Sequence, residues 1–141
     1  MVELDWFKNK RIFITGHTGF KGAWLCTILS EAGADVTGYA LKPPTSPSLF
    51  KIAEIDKKVK SIEGDVRCLK KLQAAFAECK PEIVIHLAAQ PLVRKSYKNP
   101  VYTYETNVMG TVNICECIRH SPCVKSFLNV TTDKVYANRE W

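Results

Sequence analysis

Three glycines, Gly16, Gly19 and Gly22, follow at three-residue spacing directly after a short apolar run, and no other feature restricts this chain as much. The run, Ile12-Phe13-Ile14-Thr15, is β-branched and aromatic, the composition of a strand buried in a parallel sheet. After Gly22, Ala23-Trp24-Leu25-Cys26-Thr27-Ile28-Leu29 has helical periodicity and closes on Gly33. A plain strand-to-helix connection needs one glycine, whereas three suit the pyrophosphate of a dinucleotide. Gly16 permits the tight turn, Gly19 lets backbone N–H groups approach the phosphates, and Gly22 lets helix and strand pack closely. The helix N-terminus adds unpaired donors and a partial positive charge. A P-loop is excluded, because Lys21 is followed by Gly22 rather than by Ser or Thr.

The rest of the chain alternates between strand and helix patterns. Strands are expected at Ala34 to Leu41, Val59 to Glu63, Ile83 to Ala89 and Ser126 to Thr131. Between them, helices are expected at Leu49 to Ile55, Cys68 to Cys79 and Val101 to Arg119, with polar loops at Lys42 to Ser48 and Gln90 to Asn99. Strands alternating with helices require a parallel sheet with right-handed crossovers. The expected fold is α/β, a doubly wound parallel sheet of Rossmann type in strand order 3-2-1-4-5. Residues 1–141 form one dinucleotide-binding domain, expected to be cut off after the fifth strand and to lack a substrate-binding part.

Composition excludes several classes. The six cysteines are no disulfide framework: there is no Cys-x-x-Cys pair, and Cys26, Cys79, Cys115 and Cys117 fall among apolar neighbours in expected helices. A zinc set of Cys115, Cys117, His120 and Cys123 is set aside, because helix positions two apart face different ways, so no metal site is expected. The net charge of +6 comes from dispersed lysines without a basic, aromatic-interleaved stripe, which argues against nucleic acid. No apolar run has the length of a membrane span and no secretory leader is visible, so a cytoplasmic protein is expected.

In a doubly wound sheet a ligand lies across the carboxyl ends of the strands. Asp65 is placed there to accept from an adenine amino group, with Val66 donating from its backbone, or else to cap the following helix. Small Ala88 and Ala89 leave room for a cofactor to cross the sheet edge. His86, in an apolar strand, reads as a satisfied core histidine, and Asn107 as a helix residue bonding across to the fourth strand. The acid that commonly holds the adenosine ribose after the second strand is missing, and Lys42 suits a 2′-phosphate, so NAD and NADP both remain open on chemistry alone. Thr132-Asp133-Lys134, by itself, reads as a solvated turn at a strand end.

Taken together, the motifs resemble the extended short-chain dehydrogenase/reductase family. They are Thr15-Gly16-x-x-Gly19-Phe20-x-Gly22, Gly64-Asp65-Val66-Arg67, His86-Leu87-Ala88-Ala89-Gln90, Thr106-Asn107-Val108-x-Gly110-Thr111 and Thr131-Thr132-Asp133-Lys134-Val135-Tyr136. Gly16-His17-Thr18-Gly19-Phe20-Lys21-Gly22, Gln90-Pro91-Leu92-Val93-Arg94 and Asn138-Arg139-Glu140-Trp141 are similar to the CDP-glucose 4,6-dehydratases within it. The resemblance implies NAD held by Gly16, Thr18, Gly19, Phe20 and Gly22, by Asp65 and Val66, and by Leu87, Ala88, Ala89, Thr106 and Thr131. It implies CDP-glucose as substrate, a homo-oligomer paired through the Val101 to Arg119 helix, and catalysis by Thr132, Asp133 and Lys134. In that mechanism C4 of the glucose ring is oxidised, Lys134 removes the C5 proton, Asp133 protonates the departing C6 hydroxyl, and Thr132 binds the C4 oxygen. Two positions depart from the family. Cys68 stands where an acid is common, and none of the five tyrosines is followed four positions on by Lys. A fragment without that Tyr-Lys pair is expected to be inactive; the other reading of the chain is a stand-alone NAD(P)-binding domain without turnover.

Overall fold

A computed structural model describes residues 4–132 and 136–137. Five parallel strands form one sheet in the order β3-β2-β1-β4-β5. They are β1 (Arg11–Thr15), β2 (Asp35–Ala40), β3 (Lys60–Glu63), β4 (Ile83–His86) and β5 (Ser126–Asn129). The helices are α1 (Phe20–Glu31), α2 (Leu49–Ile52), α3 (Ile55–Lys58), α4 (Leu69–Cys79), α5 (Val93–Lys98), α6 (Pro100–Tyr104) and α7 (Gly110–Arg119). A π-helical segment, Glu105–Met109, joins the last two.

Alternation along β1 divides the core between the faces of the sheet. Ile12 and Ile14 join Ala23, Cys26 and Leu29 of α1 together with Phe50 and Ile55. Phe13 points the other way, to Tyr39, Leu72, Phe76, Val84 and Ile114, under α4 and α7. Its ring centroid lies 4.5 Å from Phe76 and 5.9 Å from Tyr39. Burying each such ring contributes roughly 1.5–3 kcal/mol. Helices on both faces of a parallel sheet are the doubly wound arrangement that the alternating pattern requires.

Several boundaries differ from expectation. The expected Gln90 to Asn99 loop contains α5, which buries no residue and so carries no apolar periodicity to announce it. Gln90 fixes its start, with Oε1 accepting from the Leu92 N–H (2.8 Å) and Nε2 donating to the Leu92 carbonyl (3.2 Å). The expected Leu49 to Ile55 helix is two short ones, broken where Glu54 takes a left-handed φ of 51°. β4 ends at His86 rather than Ala89: the Leu87 N–H still reaches the Thr15 carbonyl, at the end of β1, but the Ala88 N–H turns to Thr15 Oγ1. α1 starts at Phe20, earlier than the apolar pattern shows, and Gly33 ends it with φ 77°.

Candidate functional site

The glycine turn occupies the carboxyl end of β1, at the centre of the sheet. Gly16 has φ 76°, and a Cβ there would stand 2.9 Å from the Ala88 backbone nitrogen, so both its conformation and its contact with the chain after β4 require glycine. A Cβ on Gly22 would stand 2.3 Å from the Gly16 carbonyl oxygen, which lets α1 rest directly on the turn. Gly19 is different. Its backbone is extended (φ −79°, ψ 170°), and an added Cβ would meet only the Gly16 carbonyl oxygen, at 3.3 Å. The described residues leave that space clear, directly before the first turn of α1, where none of their side chains caps the helix. A cradle that a Cβ would fill, beside a helix N-terminus, fits a pyrophosphate. Thr18 Oγ1 donates to the Leu41 carbonyl (2.9 Å) and ties the turn to the end of β2; Phe20 projects from it, 71% exposed.

The turn is also keyed into the sheet by His17, a residue that sequence reading passed over. Its imidazole is fully buried over Gly38 in β2, where a Cβ would come within 2.3 Å of the ring. Nε2 reaches Ser61 Oγ on β3 at 2.7 Å, and the ring meets Phe50 edge-on at 5.3 Å. Burial lowers the His17 pKa to about 4, against an opposing effect of the Tyr39 backbone. A glycine in the middle of a strand was the available signal, since it marks a place where something must approach the backbone closely.

Beside the turn, a buried chain of hydrogen bonds crosses from β1 to α7. Thr15 Oγ1 accepts from the Leu87 and Ala88 N–H groups, each at 3.1 Å, and lies 2.6 Å from His86 Nδ1. With both lone pairs engaged, Thr15 donates its proton to Nδ1. His86 is therefore the Nε2–H tautomer and donates to Thr111 Oγ1 (3.2 Å), which donates to the Asn107 carbonyl (2.8 Å). Burial lowers the His86 pKa to about 4 and keeps the ring neutral. The Asn107 side chain brackets Gln90, accepting from its N–H (2.7 Å) and donating to its carbonyl (3.1 Å). These bonds hold Leu87, Ala88 and Ala89 against the glycine turn. Their placement agrees with His86 as a satisfied core residue and Asn107 as the tie to the fourth strand.

Asp65 and Val66 lie at the carboxyl end of β3. Tyr39 Oη donates to the Asp65 carbonyl (3.0 Å) and Asn113 Nδ2 to the Val66 carbonyl (2.9 Å). Asp65 does not cap α4, whose N-cap is Cys68; its carboxylate instead turns back on Arg67. Thr106, on the π-helical segment, is buried, and its Oγ1 has no hydrogen-bond partner among the described residues. Thr131 and Thr132 follow β5 and are exposed. Asp133 and Lys134 lie outside the described residues. The structure thus gathers Gly16, Thr18, Gly19, Gly22, Leu87 and Ala88 around one turn, with Asp65 and Val66 after β3, on the far side of β2.

No helix among the described residues is long and apolar enough to cross a membrane. The chain matches the family model described as GDP-mannose 4,6 dehydratase over residues 13–140. It is 52% identical, over its whole length, to a CDP-glucose 4,6-dehydratase of Salmonella typhimurium, and spans 39% of that relative. Among solved structures, UDP-glucose-4-epimerase from Stenotrophomonas maltophila, with bound NAD and formylated UDP-arabinopyranose, superposes with a TM-score of 0.81 at 21% identity, over 94% of this chain and 40% of that one. The Bordetella bronchiseptica enzyme WbmG, in complex with NAD and UDP, gives a TM-score of 0.68 at 25% identity, over 86% and 37%.

Proposed function

The chain belongs to the GDP-mannose 4,6 dehydratase family, and from that membership we propose that it is the cofactor-binding part of a nucleotide-sugar 4,6-dehydratase that acts on CDP-glucose with NAD. The 52% identity to a CDP-glucose 4,6-dehydratase across all 141 residues carries this reading. The clear space at Gly19 before the uncapped start of α1 supports the cofactor.

The residues of the chain divide the work. Gly16, Thr18, Gly19, Phe20 and Gly22 form the pyrophosphate cradle, and Asp65 and Val66 receive the adenine. Leu87, Ala88 and Ala89, held by Thr15 and Asn107, line the crossing of the sheet edge, with Thr106 and Thr131 on either side. NAD held in that cradle would supply the hydride exchange, taking a hydride from C4 of the glucose ring and returning it to C6. A base of the full-length protein takes the C4 hydroxyl proton as C4 is oxidised, with Thr132 donating to the C4 oxygen. Lys134 takes the C5 proton made acidic by the adjacent ketone, Asp133 gives a proton to the departing C6 hydroxyl, which leaves as water, and Lys134 returns its proton to C5 as C6 is reduced. The product is CDP-4-keto-6-deoxyglucose, and the enzyme is a lyase of the cytoplasm. The helical segment from Pro100 to Arg119 exposes Val101, Tyr104, Val108, Met109 and Val112, a face suited to pairing with a second copy.

The test uses the full-length protein, NAD and CDP-glucose deuterated at C4. Formation of the 4-keto-6-deoxy product with deuterium delivered to C6 is the expected result. A 4-epimerised sugar with deuterium still at C4, or no turnover of CDP-glucose at any concentration, overturns the assignment.

A further inference from the structure

Arg67 is bound on every side of its guanidinium. Nε lies 3.1 and 3.0 Å from the two Asp65 carboxylate oxygens, Nη2 donates to Oδ2 at 2.7 Å, and the Arg67 backbone N–H donates to Oδ1 at 2.9 Å. From the far side Nη1 donates to Glu105 on the π-helical segment (3.0 Å), and the guanidinium stacks over the Tyr102 ring of α6 at 4.6 Å. Such a fork, planar and stacked, fixes a carboxylate in direction as well as place. The carbonyl of Asp65 is fixed independently by Tyr39, so backbone and side chain are both immobilised.

Counting acceptors shows what remains. An ionised carboxylate offers about four lone-pair sites. Arg67 fills three of them with its backbone N–H, Nε–H and Nη2–H, leaving about one for a further donor. Next to it, the Val66 N–H has no hydrogen bond among the described residues, while the Val66 carbonyl is taken by Asn113. One acceptor beside one donor, at the carboxyl end of the same sheet as the glycine turn, matches the 6-amino group and N1 of a purine. A 6-oxo, N1–H purine presents the opposite pattern.

We propose that Arg67 is a positioning residue for purine recognition: anchored on Glu105 and Tyr102, it turns Asp65 so that one carboxylate oxygen accepts from a 6-amino group. The inference rests on the proposed dinucleotide site and adds to it the residue that sets base selectivity. Hydrogen bonding to Arg67 holds the Asp65 pKa below the usual carboxylate range, so the acceptor stays ionised in mildly acidic solution.

The experiment measures the affinity of the full-length protein for NAD and for nicotinamide hypoxanthine dinucleotide, which carries oxygen in place of the amino group. Wild type should prefer NAD by tenfold or more. Arg67→Met should weaken NAD roughly tenfold, leave the hypoxanthine analogue nearly unchanged, and so flatten the ratio. Glu105→Gln, an exposed change that cannot unfold the core, should lower the ratio partway. Equal weakening of both dinucleotides in Arg67→Met, or tighter NAD binding after removal of a competing cation, overturns the proposal. A ratio unmoved by Glu105→Gln shows that Arg67 is not aimed from the helix and overturns it as well. Failure of wild type to bind either dinucleotide removes the site itself, and with it the proposed function.

Discussion

Thr15 Oγ1 and His86 Nδ1, at the same register on adjacent strands, are joined by a 2.6 Å hydrogen bond whose direction is set by the two backbone N–H groups that Thr15 also accepts. One hydroxyl thereby fixes a histidine tautomer and the path of the chain after β4. Thr15→Val keeps the shape and removes all three bonds, leaving buried polar groups unpaired. A loss of about 3 kcal/mol in urea unfolding is expected, with Thr15→Ser restoring most of it. A loss below half of that amount would show that the relay contributes little.

The two buried histidines give folding a defined pH dependence. Both have native pKa values of about 4 against an ordinary 6.5, so the unfolded chain binds more protons between those limits. Stability is complete above pH 6.5 and falls as pH drops towards 4, with a slope approaching about 2.7 kcal/mol per pH unit for two protons. Below pH 4 this contribution levels off. Chemical denaturation at closely spaced pH values measures the slope, and His86→Gln should halve it; a slope equal to wild type in that variant contradicts the assignment.

Gly19 and Gly22 should separate ligand binding from folding. Gly22→Ala pushes a methyl against the Gly16 carbonyl and should cost about 2–3 kcal/mol of stability. Gly19→Val meets little of the protein and should melt within a few degrees of wild type, while losing NAD binding in calorimetric titration. Unchanged affinity in Gly19→Val would place the pyrophosphate elsewhere.

How much of this was legible from the residues depends on where the information sits. The order of the strands, the glycine turn and the placement of Asp65, Leu87 and Ala88 follow from apolar periodicity and glycine spacing, which are local signals. The α5 helix was hidden because Val93 to Lys98 buries nothing, and the early end of β4 because Thr15, far off in sequence, draws the Ala88 N–H to its hydroxyl. His17 and Arg67 escaped for the same reason: their partners, Gly38 and Ser61 for one, Glu105 and Tyr102 for the other, meet them only in the folded chain.

Catalysis is expected to depend on Lys134. In the full-length protein, Lys134→Met should leave NAD affinity within twofold of wild type and abolish release of the 4-keto-6-deoxy sugar. Exchange of the C5 hydrogen with solvent deuterium should cease along with it. Exchange at the wild-type rate would mean that another group removes the proton.

The outer strand predicts behaviour in solution. All four residues of β5 are exposed, Phe127 and Leu128 among them, and among the described residues only β4 pairs with it. Residues 1–141 prepared alone should therefore self-associate. Sedimentation with and without NAD reads this directly; a monomer that binds NAD tightly would mark these residues as a self-sufficient binding domain.

The fit of His17 over Gly38 has a consequence for how such a sequence can change. A side chain gained at position 38 while the imidazole is present collides with the ring, 2.3 Å from the new Cβ. A ring lost at position 17 while glycine remains leaves a hole and an unanswered Ser61, which is costly but survivable. The two steps are thus unequal, and a lineage leaving this pairing must take them in one order: the histidine shrinks first, and only then is position 38 free to grow.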